Sequence, residues 1–202
     1  MFSKPALTHY PIHDLLVSRW SGRAYDPHRP VARADLLSLL EAARWAPSCY
    51  GDQPWRFLVW DKYADPQSWQ QALECLATGN QSWAQYAPIL MLSLADSQFM
   101  HNAEANRWGQ YDTGAAAMSL CIQATALGIM VHQMGGFDAE KAAARFGIPS
   151  RYVPMAMISL GYQLAQADIP EDMKAREFAE RSRAAMQERF FEAQWGVGMA
   201  QR

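Results

Sequence analysis

Two pairs of arginines carry the strongest chemical signal in this 202-residue chain. Arg19 and Arg23 sit in the run Arg19-Trp20-Ser21-Gly22-Arg23, and Arg181 and Arg183 flank Ser182 near the other end. A guanidinium forks two hydrogen bonds onto phosphate oxygens, and a serine adds a short donor. A phosphate monoester carries close to two negative charges near neutral pH, so two to four arginines would match it. Taken alone, the first run also reads as a solvated, charged helix end. Gly135-Gly136 follows an apolar stretch. Missing side chains there would let backbone N–H groups approach a ligand, although a glycine pair after a strand is also an ordinary turn.

Other chemistries lack their residues. The chain has no GxGxxG, no P-loop and no GxSxG elbow. Its five histidines show no metal-ligand spacing. Cys49 could serve as a nucleophile, but nothing supplies it a base, and a packing role is the better reading. Cys49, Cys75 and Cys121 are an odd number with no CxxC, which argues against a disulfide framework and for a reducing cytoplasm. A net charge of -2 gives no reason to expect nucleic acid as a partner. No signal peptide is expected, and no apolar run approaches membrane-spanning length.

The arginines and glycines need rigid neighbours. Between them lies Ala46-Pro47-Ser48-Cys49-Tyr50-Gly51-Asp52-Gln53-Pro54-Trp55. A helical stretch stops at Pro47, a small polar turn follows, and Gln53-Pro54-Trp55 launches an apolar run over residues 57–60. Each proline locks its own φ and pushes the preceding residue toward extended backbone, so the loop can hold a fixed shape against a flat ligand.

Around this loop, apolar spacing predicts a short helix over residues 12–17 and a longer one over 33–45. Residues 57–60, 89–94, 129–132 and 155–160 read as strands. Asp65-Pro66 opens an expected helix ending near Gly79, and Asp138 one that reaches Phe146 and closes at Gly147. The polar stretch 96–109 reads as an exposed loop or mobile excursion. Residues 111–127 form an expected helix capped by Asp112 or Thr113 and stopped by Gly128. Its small side chains suit a buried core helix or a dimer interface. Residues 171–194 read as helix-prone and lead into Phe190, Phe191 and Trp195, aromatics that would be comfortable over a second subunit. Strands separated by helices argue for an α/β or α+β fold, and no linker or repeat divides residues 1–202.

Set in order, these pieces resemble the nitroreductase family of flavin enzymes. The usual family loop is Ala-Pro-Ser-Ser-x-Asn-x-Gln-Pro-Trp, to which residues 46–55 are similar. The other pieces are Arg19-Trp20-Ser21-Gly22-Arg23, Asn80-Gln81-Ser82-Trp83 with Ala87-Pro88, and Gln133-Met134-Gly135-Gly136-Phe137-Asp138. Gly147-Ile148-Pro149, Leu160-Gly161-Tyr162 and Arg181-Ser182-Arg183 complete the order.

The resemblance implies an α+β fold, a central mostly antiparallel sheet flanked by helices. It implies an intertwined homodimer with an extended C-terminal segment, each subunit contributing to both flavin sites. It also implies bound FMN, NAD(P)H as reductant, and a small-molecule electron acceptor, nitroaromatic or quinone, in ping-pong turnover. Arg19, Ser21, Arg23, Arg181 and Arg183 would take the phosphate and ribityl end, with Trp20 beside them. Pro47, Ser48, Cys49 and Gln53 would lie along the ribityl chain and ring. The amides of Gly135 and Gly136, with Gln133 and Met134 alongside, would address the N5/O4 edge, and Asn80 the ring's polar edge. A flavin carries the chemistry itself, so no acid/base residue is expected. Gly51 stands where the family commonly has Asn, which removes a side-chain amide from the loop. A second reading is therefore a flavin-binding or flavin-handling protein with little turnover.

Overall fold

The apolar run that begins at Ile89 becomes a strand whose eight residues, Ile89–Asp96, are all buried. Both of its faces are covered, which is why it shows no polar alternation. In the computed structural model, which describes residues 2–199, the chain is laid around this strand. The elements run α1 Asp14–Ser18, α2 Arg33–Arg44, β1 Trp55–Asp61, α3 Pro66–Leu73, α4 Thr78–Ala84 and β2 Ile89–Asp96. They continue with α5 Gly109–Ala126, β3 Met130–Met134, α6 Ala139–Phe146, β4 Tyr152–Gly161 and α7 Glu171–Glu177.

The four strands pair in the order β1-β2-β4-β3, and every pairing is antiparallel. Ile89 and Met91 turn to one face, where Leu36 and Leu39 of α2 and Ala116 and Leu120 of α5 meet them. Leu90, Leu92 and Leu94 turn to the other, against Trp69 and Leu73 of α3, Trp83 of α4 and Ala142 of α6. The period of two in a strand separates the two cores, and each fully buried aliphatic side chain contributes about 1.5–3 kcal/mol. The expected α+β class and its antiparallel sheet hold. No helix among the described residues is long and apolar enough to cross a membrane.

Three local expectations need correction and a fourth gains detail. The helix opened by Asp65 is capped as expected, the carboxylate accepting from Ser68 N, but it ends at Leu73. Leu76 then bridges to Phe137, and Ala77 N donates to the Gly136 carbonyl, so edge pairing draws the chain out of the helix. Gly79 and Asn80 lie inside the separate helix α4.

Helix α5 starts at Gly109, and its N-cap residue, Trp108, makes no side-chain cap bond. Asp112 and Thr113 point inward instead, Asp112 accepting from Cys49 N and Thr113 donating to the Gly109 carbonyl. The buried small residues of α5 let α2 approach, and Gln123 donates to Ser38 across the contact.

The 96–109 stretch is the largely exposed loop expected, and it is fastened at both ends. Asp96 is fully buried and receives both Nε and Nη2 of Arg151, and Gln98 bridges to Ala105. Finally, only Glu171–Glu177 of the tail is α-helical. Beyond it, Arg181 donates to three backbone carbonyls of the N-terminal segment, tertiary bonds that a continuing helix would forgo.

Candidate functional site

The Arg19–Arg23 run is a loop between α1 and the buried pair Ala24 and Tyr25. Three side chains from distant parts of the chain hold its backbone. The Glu177 carboxylate, fully buried at the end of α7, accepts from Arg23 N at 3.0 Å and from Ala24 N at 3.3 Å. Arg181 donates to the carbonyls of Lys4, Val17 and Arg19. His132 on β3 meets the Gly22 carbonyl through Nδ1 at 3.0 Å. Since a carbonyl only accepts, that contact places the proton on Nδ1.

The loop has no room for a side chain at position 22. A Cβ there would lie 2.1 Å from Met130 Sδ and 3.0 Å from Glu177 Oε1. Burial, with Arg23 and Arg19 nearby, pushes His132 down to about 4, so it is neutral near pH 7.

The cations here outnumber their counter-charge. Arg19, Arg23, Arg181 and Arg183 make no salt bridge among the described residues. Burial and the neighbouring Arg19 and Arg183 draw Arg181 below its ordinary value. Burial also lowers Lys4, while Glu177 pushes it back up and Arg181 and Arg23 lower it further. Arg19 reaches Ser21 Oγ at 3.4 Å, Arg23 lies 5.7 Å over the Trp83 ring, and Lys4 lies 4.6 Å over that of Trp20. Such a group favours a compact anion.

β3 leads from this cluster to the glycine pair. Gln133 turns toward α5 and donates to Cys121 Sγ at 3.3 Å, whereas Met134 is buried in the opposite core. Gly135 and Gly136 are exposed, and neither N–H has a protein acceptor among the described residues. Asn80 Nδ2 donates to the Gly136 carbonyl at 3.0 Å, and a Cβ on Gly136 would sit 2.8 Å from that nitrogen. Asn80 thus holds the turn that presents the two amides.

The 46–55 loop is sharply wound. Tyr50, Gly51 and Gln53 all have positive φ, at 56°, 66° and 50°. Ser48 Oγ closes it by accepting from Gln53 N at 3.0 Å, and Asp112 holds Cys49 N at 3.0 Å. Gly51 lies in the left-handed region, which Gly and Asn both tolerate. Glycine is well suited to that backbone, as an Asn would be. The Asp52 carboxylate accepts from Met100 N and ties this loop to the 96–109 stretch.

Arg19, Trp20, Ser21, Arg23 and Arg181 come together, with Arg183 next to them, exposed and donating to the Ser182 carbonyl. Gln133, Met134, Gly135, Gly136 and Asn80 form a second group reached along β3. Pro47, Ser48, Cys49 and Gln53 form a third, with no hydrogen bond to Arg19, Arg23, Arg181 or Arg183 among the described residues. Cys49 is tied to α5 at Asp112 and Gln133 at Cys121. Nine residues of helix separate those anchors, roughly 13 Å along the axis.

Sequence reasoning missed Glu177, His132 and Asp112. Glu177 stands among charged neighbours that look like a solvated helix face, and Asp112 looks like a cap. Only His132, inside an apolar run, carried a signal. No group of His, Cys, Asp or Glu among the described residues could hold a metal ion.

A sequence model described as the Nitroreductase family matches residues 16–162. An uncharacterised 15.4 kDa protein of Mycolicibacterium smegmatis is 36% identical over 121 residues, 60% of this chain and 80% of that one. YdgI of Bacillus subtilis, provisionally named an NAD(P)H nitroreductase, is 28% identical over 187 residues, 73% of this chain and 86% of its own. A crystal structure described as an oxidoreductase containing FMN superimposes with a TM-score of 0.88 at 32% identity, covering 98% of this chain and 100% of that one.

Proposed function

Because the chain belongs to the nitroreductase family of flavin oxidoreductases, we propose that it binds FMN and reduces a small aromatic acceptor with electrons from NAD(P)H. The observation that carries this reading is the arginine group with too little negative charge of its own. Its donor chemistry fits a phosphate dianion, and the open amides of Gly135 and Gly136 fit the acceptor edge of a planar ring.

A bound FMN would supply the redox chemistry between NAD(P)H and a nitroaromatic or quinone acceptor, in two half-reactions sharing one pocket. The chain's own residues bind and orient. Arg19, Ser21, Arg23 and Arg183 would hold the phosphate. Arg181, whose guanidinium is largely engaged by carbonyls, would contribute its charge and its remaining N–H groups. Gly135 and Gly136 would donate from the backbone, with Asn80 fixing their turn and Gln133 and Met134 fixing the strand that delivers them.

Pro47, Ser48, Cys49 and Gln53 would complete the site from a second copy of the chain. That arrangement is supported by the loop's anchor at Asp112, roughly 13 Å along α5 from the Cys121 anchor of Gln133. Trp195 (91% exposed), Tyr111 (76%) and Phe190 (54%) likewise support a homodimer that covers them. Free thiols at all three cysteines suit a cytoplasmic setting.

A visible spectrum of the purified protein followed by anaerobic titration with NADH and NADPH tests the reading. A flavin spectrum that bleaches with either nucleotide is expected. A flavin that neither nucleotide reduces would move the assignment to the flavin-binding alternative. A colourless protein that refuses added FMN would overturn both.

A further inference from the structure

Glu177 is a fully buried acid beside a group of cations that would hold a dianion. Its charge opposes the ligand, so its use must lie in its position. Both carboxylate oxygens reach Arg23 N, at 3.3 and 3.0 Å, and Oε1 also reaches Ala24 N at 3.3 Å. Its backbone carbonyl accepts from Lys4 Nζ at 2.7 Å. Four residues on, Arg181 grips the carbonyls of Lys4, Val17 and Arg19. One stretch of the tail thus holds the arginine loop at both ends, taking amides at Arg23 and Ala24 and giving donors at Arg19. Met130, Trp20 and Glu177 itself close in around Gly22, leaving no space for a side chain there.

Resting on the FMN reading, we infer that Glu177 is a positioning residue for the phosphate end of the flavin. Through the amides of Arg23 and Ala24 it sets the loop that aims Arg19, Ser21 and Arg23 at the phosphate. A pre-set loop spares the ligand the cost of ordering it, and only a ligand with a phosphate collects that gain.

FMN and riboflavin separate this role from general stability, because riboflavin lacks the phosphate. Dissociation constants for both are measured by flavin fluorescence on the full-length wild type, Glu177→Ala, Glu177→Gln and Glu177→Asp. Wild type should prefer FMN. In Glu177→Ala that preference should shrink by about tenfold or more, the scale of a lost hydrogen bond to a charged group, with riboflavin affinity little changed. Glu177→Gln keeps an acceptor at the same reach and should restore most of the preference. Glu177→Asp keeps the charge but withdraws it by one methylene and should lose it.

If Glu177→Ala fails to fold, the Gln and Asp variants carry the test alone. Equal loss of both ligands, an unchanged ratio, or retention by Asp with loss by Gln would each overturn the inference. Wild type that binds neither ligand, or binds both equally, would instead overturn the phosphate-site reading on which the inference rests.

Discussion

Acid should loosen this protein through one histidine. His132 is wedged against Trp83, ring centroids 4.6 Å apart, and gives its Nδ1 proton to the Gly22 carbonyl. Burial is the main cause that lowers it from 6.5 to about 4, with Arg23 and Arg19 adding to the effect. Between those values the unfolded chain takes up a proton that the folded chain refuses. Stability is therefore complete above about pH 6.5 and falls as pH drops toward 4. Each pH unit between the two values is worth about 1.4 kcal/mol, so the loss from pH 7 to pH 5 is about 2 kcal/mol, and on the order of 3 kcal/mol by pH 4.

Urea unfolding of the FMN-free protein at pH 7, 6 and 5 measures this against His132→Asn. The amide of Asn can still donate to Gly22 but does not titrate in this range. The other four histidines are exposed, and they cancel in the comparison along with the carboxylates. Wild type should lose about 2 kcal/mol more than the variant between pH 7 and 5. Parallel pH profiles would refute the reasoning, and so would an imidazole that titrates near 6.5 by NMR.

Three further substitutions report on the scaffold. Gly22→Ala forces a Cβ against Met130 Sδ and Glu177 Oε1 and should cost about 1–3 kcal/mol, read as a lowered Tm. Asp112→Ala leaves Cys49 N without its acceptor; a loss of about 1–3 kcal/mol and faster amide exchange confined to the 47–53 loop are expected. Arg151→Ala strips the buried Asp96 of its partner. It should lower the urea midpoint, by less than loss of a fully buried pair would because Arg151 is partly exposed, and speed hydrogen exchange over 97–108; an unchanged midpoint would refute this.

Much of the fold was legible because its local rules agree with its global ones. The Asp65 and Asp138 caps, the Gly147 stop and the four apolar strand runs all appear where residue chemistry places them. The misses share one cause. Leu76 and Ala77 leave a helix to pair with Phe137 and Gly136, Asp112 abandons a capping role to hold Cys49, and the helix-prone tail is pulled straight by Arg181. In each case a long-range partner outweighed a local propensity worth only tenths of a kcal/mol per residue.

The sequence by itself determined which chemistry was available: the paired arginines, the glycine turn, the proline-bounded loop, and the absence of metal-binding or nucleotide-motif alternatives. These are facts of residue type and order, and they survive any fold. Only the tertiary structure decided how the pieces are held. It buried Glu177 beneath Arg23, kept His132 neutral beside two arginines, and turned Arg181 onto carbonyls. Burial and hydrogen-bond partnership belong to pairs of residues far apart in the chain, and no local pattern encodes which distant atom will be the partner.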